Sequence, residues 1–266
     1  MRSARVTAAA IAISAALIVG LTPAAASAQA SAPFEWRGMV LQGNTIEIKG
    51  VNGDVTAEPG SGGEVEVRAI RRGRKNNPED VQIEVVQHGE GVTICAVYPS
   101  TDGRPNECKP GEGGRMNVQN NDVSVTFTVS VPAGVRFAGK TVNGDIEAKM
   151  LAGAVSLATV NGSVNFSTSS YGDATTVNGS ITGALGNSAW SGDLNFSTVN
   201  GSITLDLPSD VSTDLRATTV NGEITTDFPI TVAGRVSRRS LNGTIGGGGR
   251  TLELETVNGS VKLRRR

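Results

Sequence analysis

Apolar and polar residues alternate along most of this chain in short runs that predict strands with one buried face. TIEIK at Thr45, EVEVRA at Glu64, VQIEVV at Val81 and VTICAVY at Val92 all follow the pattern. In VSVTFTVSVP, Val123, Val125, Phe127, Val129 and Val131 share one face. Further along, the alternation is tied to a recurring Thr-Val-Asn-Gly motif. Three places after each motif asparagine stand Ile146, Val164, Ile181, Ile203, Ile224, Ile245 and Val261. Six places before it stand Val155, Leu194, Leu215, Val236 and Leu252, and four before it Leu157, Phe196, Ala217 and Leu254, with Arg238 as the exception. Each repeat therefore predicts two short strands, and the residue just before Asn breaks the two-residue parity, so the chain must bend there.

The predicted bends are Asn143–Gly144, Asn161–Gly162, Asn178–Gly179, Asn200–Gly201, Asn221–Gly222, Asn242–Gly243 and Asn258–Gly259, with an earlier copy at Asn52. From Asn143 the spacings are 18, 17, 22, 21, 21 and 16 residues. A period near 20 with a fixed corner is the signature of a solenoid, whose repeats bury their apolar faces only by stacking. Asn-Gly is also the strongest short hairpin signal, which keeps a meander or sandwich as the competing fold. Near-identical corners favour stacking, because equivalent turns then lie about 4.8 Å apart and their side-chain amides can form a ladder. The fold class expected is all-β: a parallel β-solenoid with Asn-Gly corners, positive φ at the corner glycines, and wider, less regular N-terminal coils.

Three segments follow. Residues 1–30 read as a signal peptide: Arg2 and Arg5, an apolar run from Val6 to Leu21, and small residues before a cut after Ala30. Residues 33–137 read as a β-rich cap on the same stack, and residues 138–266 as the repeat solenoid. The basic end, Lys262 and Arg264 to Arg266, reads as charge guarding an exposed terminal edge. Without Arg2 and Arg5, 22 basic residues face 25 acidic ones, which gives no footprint for nucleic acid. After leader removal no stretch is long enough for an integral membrane segment. Cys95 and Cys108, the only cysteines, read as one disulfide stapling a Gly/Pro-rich loop in an oxidising compartment.

FEWRG at Phe34, the Asn52 turn, PEDVQIEVV at Pro78, CAVYPS at Cys95 with Cys108, VSVTFTVSVPAGV and the TVNG run together resemble the bacterial "putative adhesin" β-strand-repeat family. The resemblance covers nearly all of the chain after the leader. It implies a β-solenoid, an extracytoplasmic location (periplasm or cell surface) and no catalytic residues, in a family of unknown function.

Candidate chemistry is sparse. Asp193 and Asp214, seven places before their asparagines and followed by Arg235 in the same column, are the one stack of carboxylates suited to a carbohydrate-active enzyme. Arg235 favours an ion-pair ladder there instead. Tyr171 and Trp190 are the aromatic candidates for contact with a glycan. GGGG from Gly246 lacks the aspartates of calcium-binding repeats, and the threonine column lacks the flat double array of ice-binding solenoids. No catalytic, metal or cofactor residues are expected. The reading is a non-enzymatic exported envelope protein that binds another envelope protein or a cell-wall or surface glycan; the alternatives are the Asp193/Asp214 enzyme and a structural or envelope-stress component.

Overall fold

The computed structural model describes residues 29–232 and 237–266. The expected leader lies almost wholly outside them, as do Arg235 and Val236. The described chain is all-β, with two eleven-stranded sheets facing one another. Strands that precede a motif asparagine belong to one sheet, here sheet II, and strands that follow it to the other, sheet I. A strand of sheet II, the corner and a strand of sheet I make one coil.

Seven coils stack in parallel register. In spatial order the first five are Thr45–Lys49 with Val55–Pro59, Arg136–Lys140 with Ile146–Leu151, Val155–Ala158 with Val164–Thr168, Gly172–Thr175 with Ile181–Leu185, and Leu194–Asn200 with Ile203–Leu207. The sixth is Thr251–Asn258 with Val261–Arg265, and the seventh Thr213–Asn221 with Ile224–Thr226. Spatial order thus departs from chain order at both ends. The coil at 45–59 sits between the coil at 136–151 and the strands Gly91–Val97 and Ser124–Val131. The last coil, 251–265, is inserted between coils 194–207 and 213–226. Antiparallel strands close the stack: Gln82–His88 and Val65–Gly73 at one end, Ser240–Ile245 at the other.

The inward columns match the alternation. Val55, Ile146, Ile181, Ile203 and Val261 are fully or almost fully buried in sheet I, as are Ile46, Phe137, Leu252 and Leu215 in sheet II. Volume is balanced between coils: the Phe166 ring lies against Gly183, where a Cβ would strike it, and stacks on Phe196 with centroids 6.1 Å apart. Ile224, in the outermost coil, is only half-buried because nothing of sheet I stacks beyond it among the described residues.

Three side-chain ladders run along the corner edge. In the first, each asparagine Nδ2 donates to the Oδ1 of its neighbour at 2.7–2.8 Å, in the order 143 to 52, 161 to 143, 178 to 161, 200 to 178, 258 to 200 and 221 to 258. In the second, the motif threonines are buried and donate to a glycine carbonyl one coil away, for example Thr198 to Gly179 at 2.8 Å and Thr256 to Gly201 at 2.8 Å. In the third, the residue after Gly accepts a backbone N–H from the next coil: Asp54 from Asp145, Asp145 from Ser163, Ser180 from Ser202 and Ser202 from Ser260. The edge polar groups are thereby largely satisfied without solvent.

Several sequence expectations change. Asn242 and Gly243 do not join the ladder; they lie within the antiparallel strand Ser240–Ile245, opposite Arg216 and Leu215. The basic end is no terminal edge. Arg264 pairs with Asp206 at 2.6 Å and Arg266 donates to the Leu185 carbonyl at 2.6 Å, inside the stack. The threonine column faces inward, and the valines beside it are exposed. Positive φ is not what the later corners require: Gly53 has φ 120°, but Gly144, Gly162, Gly179, Gly201, Gly222 and Gly259 are not in that region. They are glycine because coils approach too closely. A Cβ on Gly201 would fall on the Gly179 carbonyl oxygen and within 2.5 Å of its carbon.

Gly201→Ala should therefore lower the melting temperature by several degrees, corresponding to about 1–3 kcal/mol. Gly63→Ala, where nothing lies within 4 Å of the added carbon, should leave it unchanged. Equal thermal melts for the two variants would show that coil contact at the corner is not limiting.

Candidate functional site

The outward columns of sheet II carry two concavities. Register places Arg136, Ala154 and Tyr171 in line on successive coils, as shown by Phe137 N–H donating to the Ala154 carbonyl and Val155 N–H to the Tyr171 carbonyl. Two residues along stand Glu47, Ala138, Ser156 and Asp173. The small side chains of Ala138, Ala154 and Ser156 leave a pit of about 340 Å³ between larger neighbours. Arg136, Thr45, His88 and Glu90 bound one side, and Tyr171 and Asp173 the other. Arg136 and Tyr171 are two coils apart, about 10 Å at the backbone.

Pro110 and Gly111, just beyond the disulfide-bonded Cys108, line the rim of the pit. Lys49 Nζ donates to the Lys109 and Gly113 carbonyls, at 2.6 and 3.0 Å. Lys140 bridges Glu112 at 2.7 Å and Glu47 at 3.1 Å. Burial opposes the Lys140 charge, but its bonds to these two carboxylates outweigh that cost, and its pKa lies above the usual lysine value. Buried Glu47 also accepts from Thr93 Oγ1 at 2.9 Å and Gly111 N–H at 3.0 Å. Because Thr93 donates its proton to Glu47, His88 Nε2–H donates to Thr93 at 3.2 Å, while Nδ1 accepts from Glu90 N–H at 3.4 Å. Both ring nitrogens are committed to the protein, so His88 offers the pit a ring surface rather than a free nitrogen.

Asp173 accepts from Ser156 Oγ at 2.9 Å through one carboxylate oxygen. Its pKa is raised: desolvation by the surrounding strands outweighs the Ser156 bond and the Lys140 charge. Tyr171 is half-buried, with its hydroxyl 3.2 Å from Ser191 Oγ.

A second concavity runs along the corner edge over the coils from 155 to 258. Exposed Val177, Val199, Val257 and Val220 form one wall, and Thr175, Ser197, Glu255 and Thr218 the other. These valines are 38–54% exposed, a regular apolar stripe at coil spacing. Parity alone could have found it, since a residue squeezed between buried Thr and the corner Asn must point outward.

The remaining sequence candidates fare differently. Trp190 is buried in the core, with its carbonyl accepting from Arg250, and cannot face a ligand. Asp193 and Asp214 are not on neighbouring coils, because Thr251 of the inserted last coil stands between them. Asp193 accepts the Thr251 N–H at 2.9 Å and Asp214 the Thr244 hydroxyl at 3.0 Å, so both are structural acceptors. Chain order misled that pairing. His88, Glu90 and Arg136 carried no sequence signal, being joined only by the folding back of residues 65–131.

The architecture is that of an all-β protein with long parallel strand stacks. Residues 135–264, just under half of the chain, match the family model described as Toastrack DUF4097. A structure described as a putative cell adhesion protein from Clostridium sporogenes is similar at 11% identity over 88% of this chain and 100% of its own, with a TM-score of 0.42. A putative adhesin from Bacteroides fragilis is similar at 14% identity over 88% and 97%, with a TM-score of 0.26. No curated protein matches the sequence. Among the described residues no helix is long and apolar enough to cross a membrane.

Two outcomes test this description. Asp173→Asn should raise stability at neutral pH, because the wild-type carboxylate is charged there at a desolvation cost. With a raised folded-state pKa, wild-type stability is highest below the usual carboxylate pKa and falls as pH rises through the folded value, so the gain should vanish in acid. Melts of both proteins from pH 3 to 8 that run parallel would refute the assignment. Separately, denatured protein should show no free thiol, consistent with the 95–108 bond. Reduction should raise hydrogen exchange in residues 98–118 before the coils, with a stability loss of about 3 kcal/mol. Uniform loosening of all coils would contradict a locally acting staple.

Proposed function

We propose that this chain is a non-enzymatic, exported β-repeat protein that binds a surface or envelope molecule through the outer face of sheet II, in the manner the adhesin label suggests. One observation carries the reading: the pit and the valine groove share the strand Gly172–Thr175. Tyr171 and Asp173 line the pit, and Thr175 and Val177 line the groove. An elongated partner can thus run from one to the other along a face stiffened by the corner ladders. Solenoids use such extended faces for binding. The Asn-Gly corners are, in this reading, the structural repeat that fixes the spacing of the face.

The paired variant Val177→Asp/Val199→Asp tests it. Both side chains are exposed, so the fold should persist, with an unchanged melt. Co-sedimentation of the purified protein with isolated bacterial envelopes should fall about tenfold in affinity. Wild-type and variant sedimenting alike would remove this face from consideration.

A further inference from the structure

The charge and shape of the pit specify a class of ligand. We propose that it holds one neutral pyranose ring of a surface glycan, an inference that rests on sheet II being the binding face. Glu90 and Arg136 are exposed, and among the described residues their side chains have no hydrogen-bond or ion-pair partner within the protein. One oxygen of Asp173 is likewise uncommitted, the other being held by Ser156. The pit therefore offers two carboxylate acceptors and one guanidinium donor fork, set around a floor of alanine and serine.

Each simple alternative meets a mismatch. An anion would approach Arg136 only by facing Glu90 and Asp173. A cation drawn to those carboxylates would face Arg136 and the nearby Lys140, whose charge reaches Asp173. An apolar molecule would strip water from all three charged groups and return no hydrogen bonds, which is costly. A sugar ring avoids these conflicts. Its hydroxyls donate to the carboxylates and accept from the guanidinium, and its C–H faces lie against ring surfaces. Tyr171 and His88 supply such surfaces on opposite sides of the pit, His88 because its nitrogens are already engaged by Thr93 and the Glu90 backbone. At about 340 Å³ the pit is near the lower limit of ligand pockets, of the order of 300 Å³, which suits one ring and not a folded oligomer. The glycan would leave the pit along strand Gly172–Thr175, toward Thr175 and Val177.

Saturation-transfer NMR and calorimetry on the disulfide-bonded chain, with glucose, galactose, mannose, N-acetylglucosamine and their short oligomers, test the assignment. Glucuronate and glucosamine serve as charged comparators. A neutral sugar should bind, and Arg136→Ala and Tyr171→Ala should each weaken it about tenfold or more. The parent melt of each variant establishes that the fold is intact. Lys262→Ala, an exposed position on the opposite sheet I, should leave monosaccharide affinity unchanged. No binding of any neutral sugar at about 10 mM, or tighter binding of glucuronate or glucosamine, overturns the proposal. If the pit proves empty while envelope sedimentation still depends on Val177 and Val199, this inference fails and the binding face stands. Loss of dependence on the valines with sugar binding retained marks the reverse.

Discussion

Everything in this fold depends on how closely one coil can lie on the next. At the corner the backbones approach until a single methyl group on glycine would collide with the carbonyl of the coil beside it. That distance brings the asparagine amides within 2.7–2.8 Å of one another. It also lets a buried threonine hydroxyl reach the glycine carbonyl one coil away. Thr, Asn and Gly thus solve one problem together: a sharp bend leaves polar groups unpaired, and the neighbouring copy of the same bend pairs them. Valine shares in that exchange through its backbone alone, its carbonyl accepting the N–H of the next corner's asparagine, and its side chain is turned outward.

This logic explains which parts were legible in the sequence. The inward columns followed from alternation and burial, and Ile203, Leu205 and Leu207 are each fully buried. The ladder could be read because its members are identical. Order in space could not be read, since parallel coils of near-identical sequence accept one another in any succession. Asn258 therefore passes between Asn200 and Asn221 without changing any local pattern. Asn242 shows the opposite limit: it carries the motif but lies opposite Arg216 in an antiparallel pair, so the four residues alone do not make a corner.

The candidate surface was less legible for the same reason. Its floor is an absence of bulk at Ala138, Ala154 and Ser156, and its walls come from residues far apart in the chain. Tyr171 was identifiable as an aromatic on an outward position. Arg136 and Glu90 gained meaning only when coil 45–59 brought the N-terminal strands beside coil 136–151. The disulfide and Glu47 then fix the segment at the rim, so a covalent bond and a buried carboxylate set the shape of a surface neither contacts as a ligand.

The interleaving of the last coil bears on how the protein comes into being. A chain emerging from its N-terminus can pack coils 136 to 207 in order, but coil 213–226 joins that stack only through residues 251–265. Neighbouring repeats alone cannot complete the far end. A polypeptide passing through a narrow conduit would therefore leave residues 213–266 undocked from the stack until the last strand clears the exit. Biogenesis, rather than the finished structure, then sets when the tower becomes whole.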